Sequence, residues 1–139
     1  MHNIQASIKK HLEQQTGFKC IWLYDGVKVP TERPILTIEA LPTIYGTQAK
    51  LKDVVATKTR YQIGVLSKTG SQAAQLPHEI ADLLTFEPVP LLDTANGGAV
   101  VGELDLTVTG VTPLPTDEAN AEQKHKSYID VAVARTFGR

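Results

Sequence analysis

From Val55 onward the odd positions read Val55, Thr57, Thr59, Tyr61, Ile63 and Val65, while the even positions include Lys58, Arg60 and Gln62. Strand side chains alternate between two faces, so this period of two predicts a long half-buried strand of about eleven residues. A second alternation occupies 99–112. There Leu104, Leu106 and Val108 interleave with Glu103, Asp105, Thr107 and Thr109, which predicts one continuous one-faced strand. A third, at 126–137, puts Ile129, Val131 and Val133 on one side and Tyr128, Asp130, Ala132 and Ala134 on the other.

Two stretches carry a helical period instead. Ile4, Ile8 and Leu12 recur every fourth residue, predicting an amphipathic helix over 3–16 with Asn3 as N-cap and Gly17 at the C-terminal cap. Over 70–86, Ala73, Leu76, Ile80, Leu83 and Leu84 form one face, with Ser71 the expected cap. Pro77 lies inside that pattern, where proline costs about 3 kcal/mol, so the reading is a kink or a restart near this residue.

Punctuation supplies the remaining elements. The apolar run 18–24 ends at Asp25-Gly26 and reads as the first strand. A loop with two prolines spans 27–34, and a second strand at 35–41 is halted by Pro42. The segments 43–53 and 113–125 read as polar loops. Pro88 and Pro90 restrict 87–92 to an edge strand or extended arm, and Asn96-Gly97-Gly98 marks a turn. The order α-β-β-β-α-β-β-β predicts a single α+β domain over 1–139, a mostly antiparallel sheet with both helices on one face.

Composition narrows the function classes. Fourteen basic residues face fifteen acidic ones, a net charge of -1, without the basic excess expected of a dedicated nucleic-acid binder. The single cysteine, Cys20, forms no internal disulfide and reads as a small buried hydrophobe. No apolar run approaches the roughly 20 residues that span a bilayer, and the polar start lacks a signal-peptide core; the expectation is a protein folded in the cytoplasm without a membrane partner.

The search for chemistry yields little. His2, His11, His78 and His125 are scattered, with no pair at helical ligand spacing, so no metal or cofactor is expected. The glycines at 97, 98 and 102 lead into a strand rather than a helix, which suits a hairpin and not a phosphate loop. Glu103 and Asp105 are two carboxylates about 7 Å apart if they share a strand face. Acid–base chemistry is one reading and a solvated strand face the preferred one. Lys58 and Arg60 share the polar face of the 55–65 strand, where a solvated face is again the default. Trp22 and Tyr24 read as core, or as an interface if their strand lies at a sheet edge.

The helix ending at Gly17, the segment TKTRYQIGVLSKTGSQAAQLPHEIADLL at 57–84 and the segment KHKSYIDVAVAR at 124–135 together resemble a known family. It is that of the tail-terminator or tail-completion proteins of long-tailed bacteriophages. The resemblance implies a non-enzymatic virion protein, assembled in the host cytoplasm and seated at the head-proximal end of the tail. It implies a ring, commonly a hexamer, whose partners are further copies of itself, the tail-tube protein and the head connector. Phage DNA would pass through its channel without sequence-specific binding. The subunit or channel contacts would then fall on Lys50, Lys52, Lys58, Arg60, Glu103, Asp105, Asp117 and Glu118. Alternatives are a head-completion or neck component of the same particle and, last, a small ligand-binding domain or enzyme.

Overall fold

The computed structural model describes residues 2–24, 27–47, 54–93, 95, 97–113 and 125–138, with the backbone alone at 2–3, 42–47, 54–58 and 135–138. In chain order the elements are α1 (His2–Thr16), β1 (Cys20–Trp22), β2 (Ile35–Thr47), β3 (Val54–Leu66), α2 (Gly70–Phe86), β4 (Pro90–Asp93), β5 (Ala99–Glu103), β6 (Leu106–Pro113) and β7 (Lys126–Gly138). Five strands form one sheet in the order β1-β2-β3-β7-β6, and β4 with β5 forms a separate two-stranded sheet. The fold is α+β and mostly antiparallel, as the alternation predicts, with one exception: β1 runs parallel to β2, pairing Cys20 with Leu36 and Trp22 with Ile38.

The strongest sequence signals make the centre of the sheet. β3 and β7 pair without a break from Val54 opposite Gly138 to Leu66 opposite Lys126. Their alternation aims Tyr61, Ile63, Val65, Ile129, Val131 and Val133 at one core, joined by Leu36 and Ile38 of β2. Ile4, Ile8 and Leu12 of α1 close that core, as do Leu76, Ile80, Ala81 and Leu84 of α2, so both helices lie on one face. Each large aliphatic side chain buried there contributes on the order of 1.5–3 kcal/mol, which is what holds helices whose own propensity is modest.

The helix ends follow capping physics. Gly17 adopts φ 74, and its N–H donates to the Glu13 carbonyl at 3.0 Å, the expected glycine cap. Asn3, expected as an N-cap, instead lies within α1. At α2 the cap is Thr69 rather than Ser71: its hydroxyl accepts from the Gln72 N–H at 3.1 Å. Thr69 holds extended angles while Ser71 already sits inside the helix, and only an extended residue can point its oxygen back at the first turn. Pro77 neither restarts nor divides α2, which runs through it with the Pro77 side chain buried.

Two strand boundaries differ from expectation. β2 does not stop at Pro42 but continues to Thr47, with a register shift between Leu41 and Ile44. An irregularity of this kind is where a sheet tolerates a residue that cannot donate to the ladder. The predicted single strand at 99–112 is two strands in two sheets. The Leu104 N–H donates to the Val89 carbonyl at 2.9 Å, and the Asp105 carbonyl accepts from the Ala134 N–H at 3.0 Å, so the chain changes sheets between them. Alternation survives the crossing, with 103, 105, 107 and 109 exposed and 104, 106 and 108 half-buried, which is why periodicity alone did not disclose it. The 18–24 run is likewise shorter as a strand, three residues, Cys20–Trp22 being the stretch in register with β2, flanked by bonds linking Lys19 and Leu23 to the same strand. The expected turn at Asn96-Gly97-Gly98 is present at its glycines, both with positive φ.

Candidate functional site

On the sheet face away from the helices, a cleft of about 520 Å³ opens between the proline-bearing loop 27–34 and the ends of β2, β3 and β7. Its walls carry Lys28, Arg33 and Lys126, the hydroxyls of Thr31 and Thr37, and an apolar strip of Val27, Val29 and Leu66. Among the described residues, no carboxylate lines it. Three cations therefore converge on one concavity.

Each cation is placed by local structure. Arg33 is folded back on its own loop, its Nη1 donating to the Pro30 carbonyl at 2.7 Å and to the Glu32 carbonyl at 2.9 Å. The Glu32 carboxylate points elsewhere, to Lys19 at 3.7 Å, an exposed pair that fastens the loop to the start of β1 at small energetic value. Lys126 opens β7 directly after His125, which holds a left-handed φ of 62. The Ser67 N–H donates to the His125 carbonyl at 3.2 Å, pinning that corner to the end of β3. The Lys126 amine then lies 4.8 Å from the centre of the Tyr128 ring. Lys28 extends from the exposed part of the loop.

The residues singled out from sequence are distributed differently. Arg60 sits half-buried in β3 between Leu41 and Ala132. Lys58 lies in register with Ile44 and Ala134, one strand removed from Asp105, whose carbonyl bonds the Ala134 N–H. Glu103 ends β5 in the small sheet and Asp105 occupies the crossing between sheets, so the two carboxylates do not share one strand face. Both are exposed, and neither they nor Arg60 takes part in the Lys9–Glu13 or Lys19–Glu32 ion pairs. Lys50, Lys52, Asp117 and Glu118 lie outside the described residues.

Two further features bear on function. β1 is an edge strand, the condition under which its aromatics suit an interface. Trp22 and Tyr24 are 41% and 61% exposed, their rings edge to face with centroids 5.5 Å apart. Elsewhere, a small pocket between α1 and the β4–β5 sheet is lined by Ser7, Lys10, His11 and Gln14. Among the described residues the buried His11 ring has no hydrogen-bond partner at Nε2, and desolvation holds its pKa below the ordinary imidazole value, with Glu87 opposing. Cys20 is buried, and burial first, then Glu13, push its thiol up to about 12, the state of an inert core thiol. Among the described residues no group of three or more His, Cys, Asp or Glu side chains could hold a metal, and no helix is long and apolar enough to cross a membrane.

The cationic cleft has no counterpart in the sequence reading. Its three charges come from positions 28, 33 and 126, and only the β2-β3-β7 pairing brings them together. The available signal was two cations within one short proline-bounded loop. Compared with known proteins, the sequence matches no family model and no curated protein.

Proposed function

We propose that the chain is a non-enzymatic structural protein of a long-tailed phage particle, one that caps the tail tube as a ring and joins tail to head. The observation that supports this reading most is the open sheet. Among the described residues β1 and β6 are each bonded on one side only, and the β1 edge presents the exposed Trp22–Tyr24 pair. Exposed edges invite further pairing, and a small domain with edge strands at both sides of its sheet has a use for neighbours. The edges differ, a short parallel strand at one and a longer antiparallel strand at the other, so a contact joining them is head-to-tail. Head-to-tail contacts close into rings when the rotation permits.

Light scattering of the purified protein, alone and mixed with polymerised tail tubes, tests the reading. The expected outcome is a ring of about six subunits, or a monomer that becomes part of a ring at tube ends. Trp22→Ser should weaken that assembly while leaving the monomer folded. Protein that ignores tubes but binds portal rings would make it a neck component. Protein that remains monomeric with both would end the assembly reading.

A further inference from the structure

We infer that the β4–β5 hairpin is clasped to α1 at His11 and that acid opens the clasp: a proton taken up by this ring frees the hairpin while the five-stranded sheet stays folded. Every residue of the clasp belongs to one chain, so the inference is independent of ring assembly. The first observation is how lightly the hairpin is held. β4 is half-buried along its length and β5 is exposed along its length, and a two-stranded sheet has little stability of its own. It gains support from α1, against which β4 packs. The Leu92 N–H donates to the Ser7 hydroxyl at 2.8 Å, and His11, one helical turn on from Ser7, lies in the same seam with Pro90, Leu92 and Val100. Behind the hairpin, Val89 is buried and its carbonyl accepts from the Leu104 N–H, so the base stays anchored when the outer part moves.

The second observation is the seat of the ring. His11 is 5% exposed, and among the described residues its Nε2 is buried without a hydrogen-bond partner. An imidazolium donates from both nitrogens, so a second proton would confine a charge and an unmatched donor in this seam. In water both are satisfied. Closure therefore prefers the neutral ring, and burial accordingly holds its pKa below the ordinary value. The charged groups around the ring do not reverse this. On α1, Lys10 shares the pocket and, as a like charge, does nothing to hold an imidazolium, while Lys9 and Glu13 pair with each other at 3.0 Å. Glu87, ahead of β4, favours the cation but is outweighed by burial. The one acid of β4, Asp93, accepts from the Ala95 N–H at 3.0 Å within the hairpin turn. The one acid of β5, Glu103, is exposed and in register with Pro90.

The test is native-state amide exchange of the full chain from about pH 7.5 to about pH 5, corrected for the intrinsic pH dependence of exchange and repeated in dilute urea. The Leu92 amide reports the clasp, and the Ile63 and Val131 amides report the sheet. Leu92 is expected to exchange through an opening that is more frequent than unfolding and insensitive to urea. Its opening ratio should rise by up to about tenfold per pH unit below about pH 6.5, the value for an imidazole in water. His11→Gln, close in size and without a proton to gain, should flatten that rise. Ser7→Ala should raise opening at every pH and retain the slope, and His78→Gln, at an exposed position of α2, should change nothing. If the His11 variant does not fold, the His11 ring signal of the parent chain decides, since it must titrate in step with the loss of Leu92 protection. The inference is overturned if Leu92 shares the protection and urea dependence of Ile63 and Val131, which would assign His11 to global unfolding alone. It is equally overturned if His11→Gln keeps the parent's slope, or if Leu92 protection in the parent is flat with pH.

Discussion

Gly64 of β3 stands directly against Thr37 of β2, its cross-strand partner, so that a Cβ built at residue 64 would overlap the Thr37 hydroxyl oxygen. Thr37 is buried and lines the cationic cleft, and the Lys126 side chain passes the same point at 3.4 Å. Gly64→Ala is therefore expected to displace the cleft floor and to destabilise the fold by about 1–3 kcal/mol, the usual cost of overpacking. Chemical denaturation measures it. A stability equal to the parent would mean that Thr37 rotates away without cost.

The cap on α2 gives a cleaner test because it is exposed. Thr69 accepts from the Gln72 N–H at 3.1 Å, and the Gln72 side-chain oxygen accepts from the Lys68 N–H at 2.7 Å. Thr69→Ala should cost about 1 kcal/mol, and Ser71→Ala much less, reversing the ranking that the sequence alone suggests. Equal losses in the two variants would refute the assignment.

What the sequence conveys is unequal across the chain, and the reason is physical. The 55–65 alternation predicts β3 because one of its faces is wholly buried, from Thr59 and Tyr61 through Ile63 and Val65. Buried faces impose their period on the residues. Crossings between sheets do not, since Leu104 and Asp105 keep the in-out rhythm while belonging to different sheets. Pro42 misleads for a related reason, as a proline forbids one ladder bond but a register shift removes the need for it. The candidate site is the least legible part. Lys28 and Lys126 are ordinary surface residues in any local window, and their convergence follows from the β2-β3-β7 pairing.

Acid should destabilise the protein through His11. The neighbouring charged groups that bear on this ring are Glu87, which favours its cation, and Lys10, which shares the pocket with it. Burial dominates and lowers the folded pKa below the unfolded value of about 6.5. The unfolded chain thus takes up a proton that the folded chain resists, so this contribution is complete above the unfolded pKa and is lost as pH falls below it. Urea midpoints measured from about pH 7.5 to about pH 5 should decline, and His11→Gln should decline less. Parallel slopes for the two proteins would sink the assignment.

Cys20 offers a probe of core integrity. With its thiol buried and raised to about 12, reaction with an aromatic disulfide reagent near neutral pH should wait on unfolding. Labelling is expected to be many times faster in denaturant than in buffer. Prompt labelling of the native protein would show that β1 detaches readily from β2.

The tie at Leu104 and Asp105 has a mechanical meaning. Two consecutive residues are bonded outward to different sheets, one to Val89 beside β4 and the next to Ala134 of β7. The β4–β5 hairpin is thus strapped at two places, to β7 through this peptide and to α1 through Leu92, whose N–H donates to the Ser7 hydroxyl at 2.8 Å. A load on the hairpin is therefore shared between a helix and the sheet, and the strand that takes the sheet's share is the one that begins at Lys126.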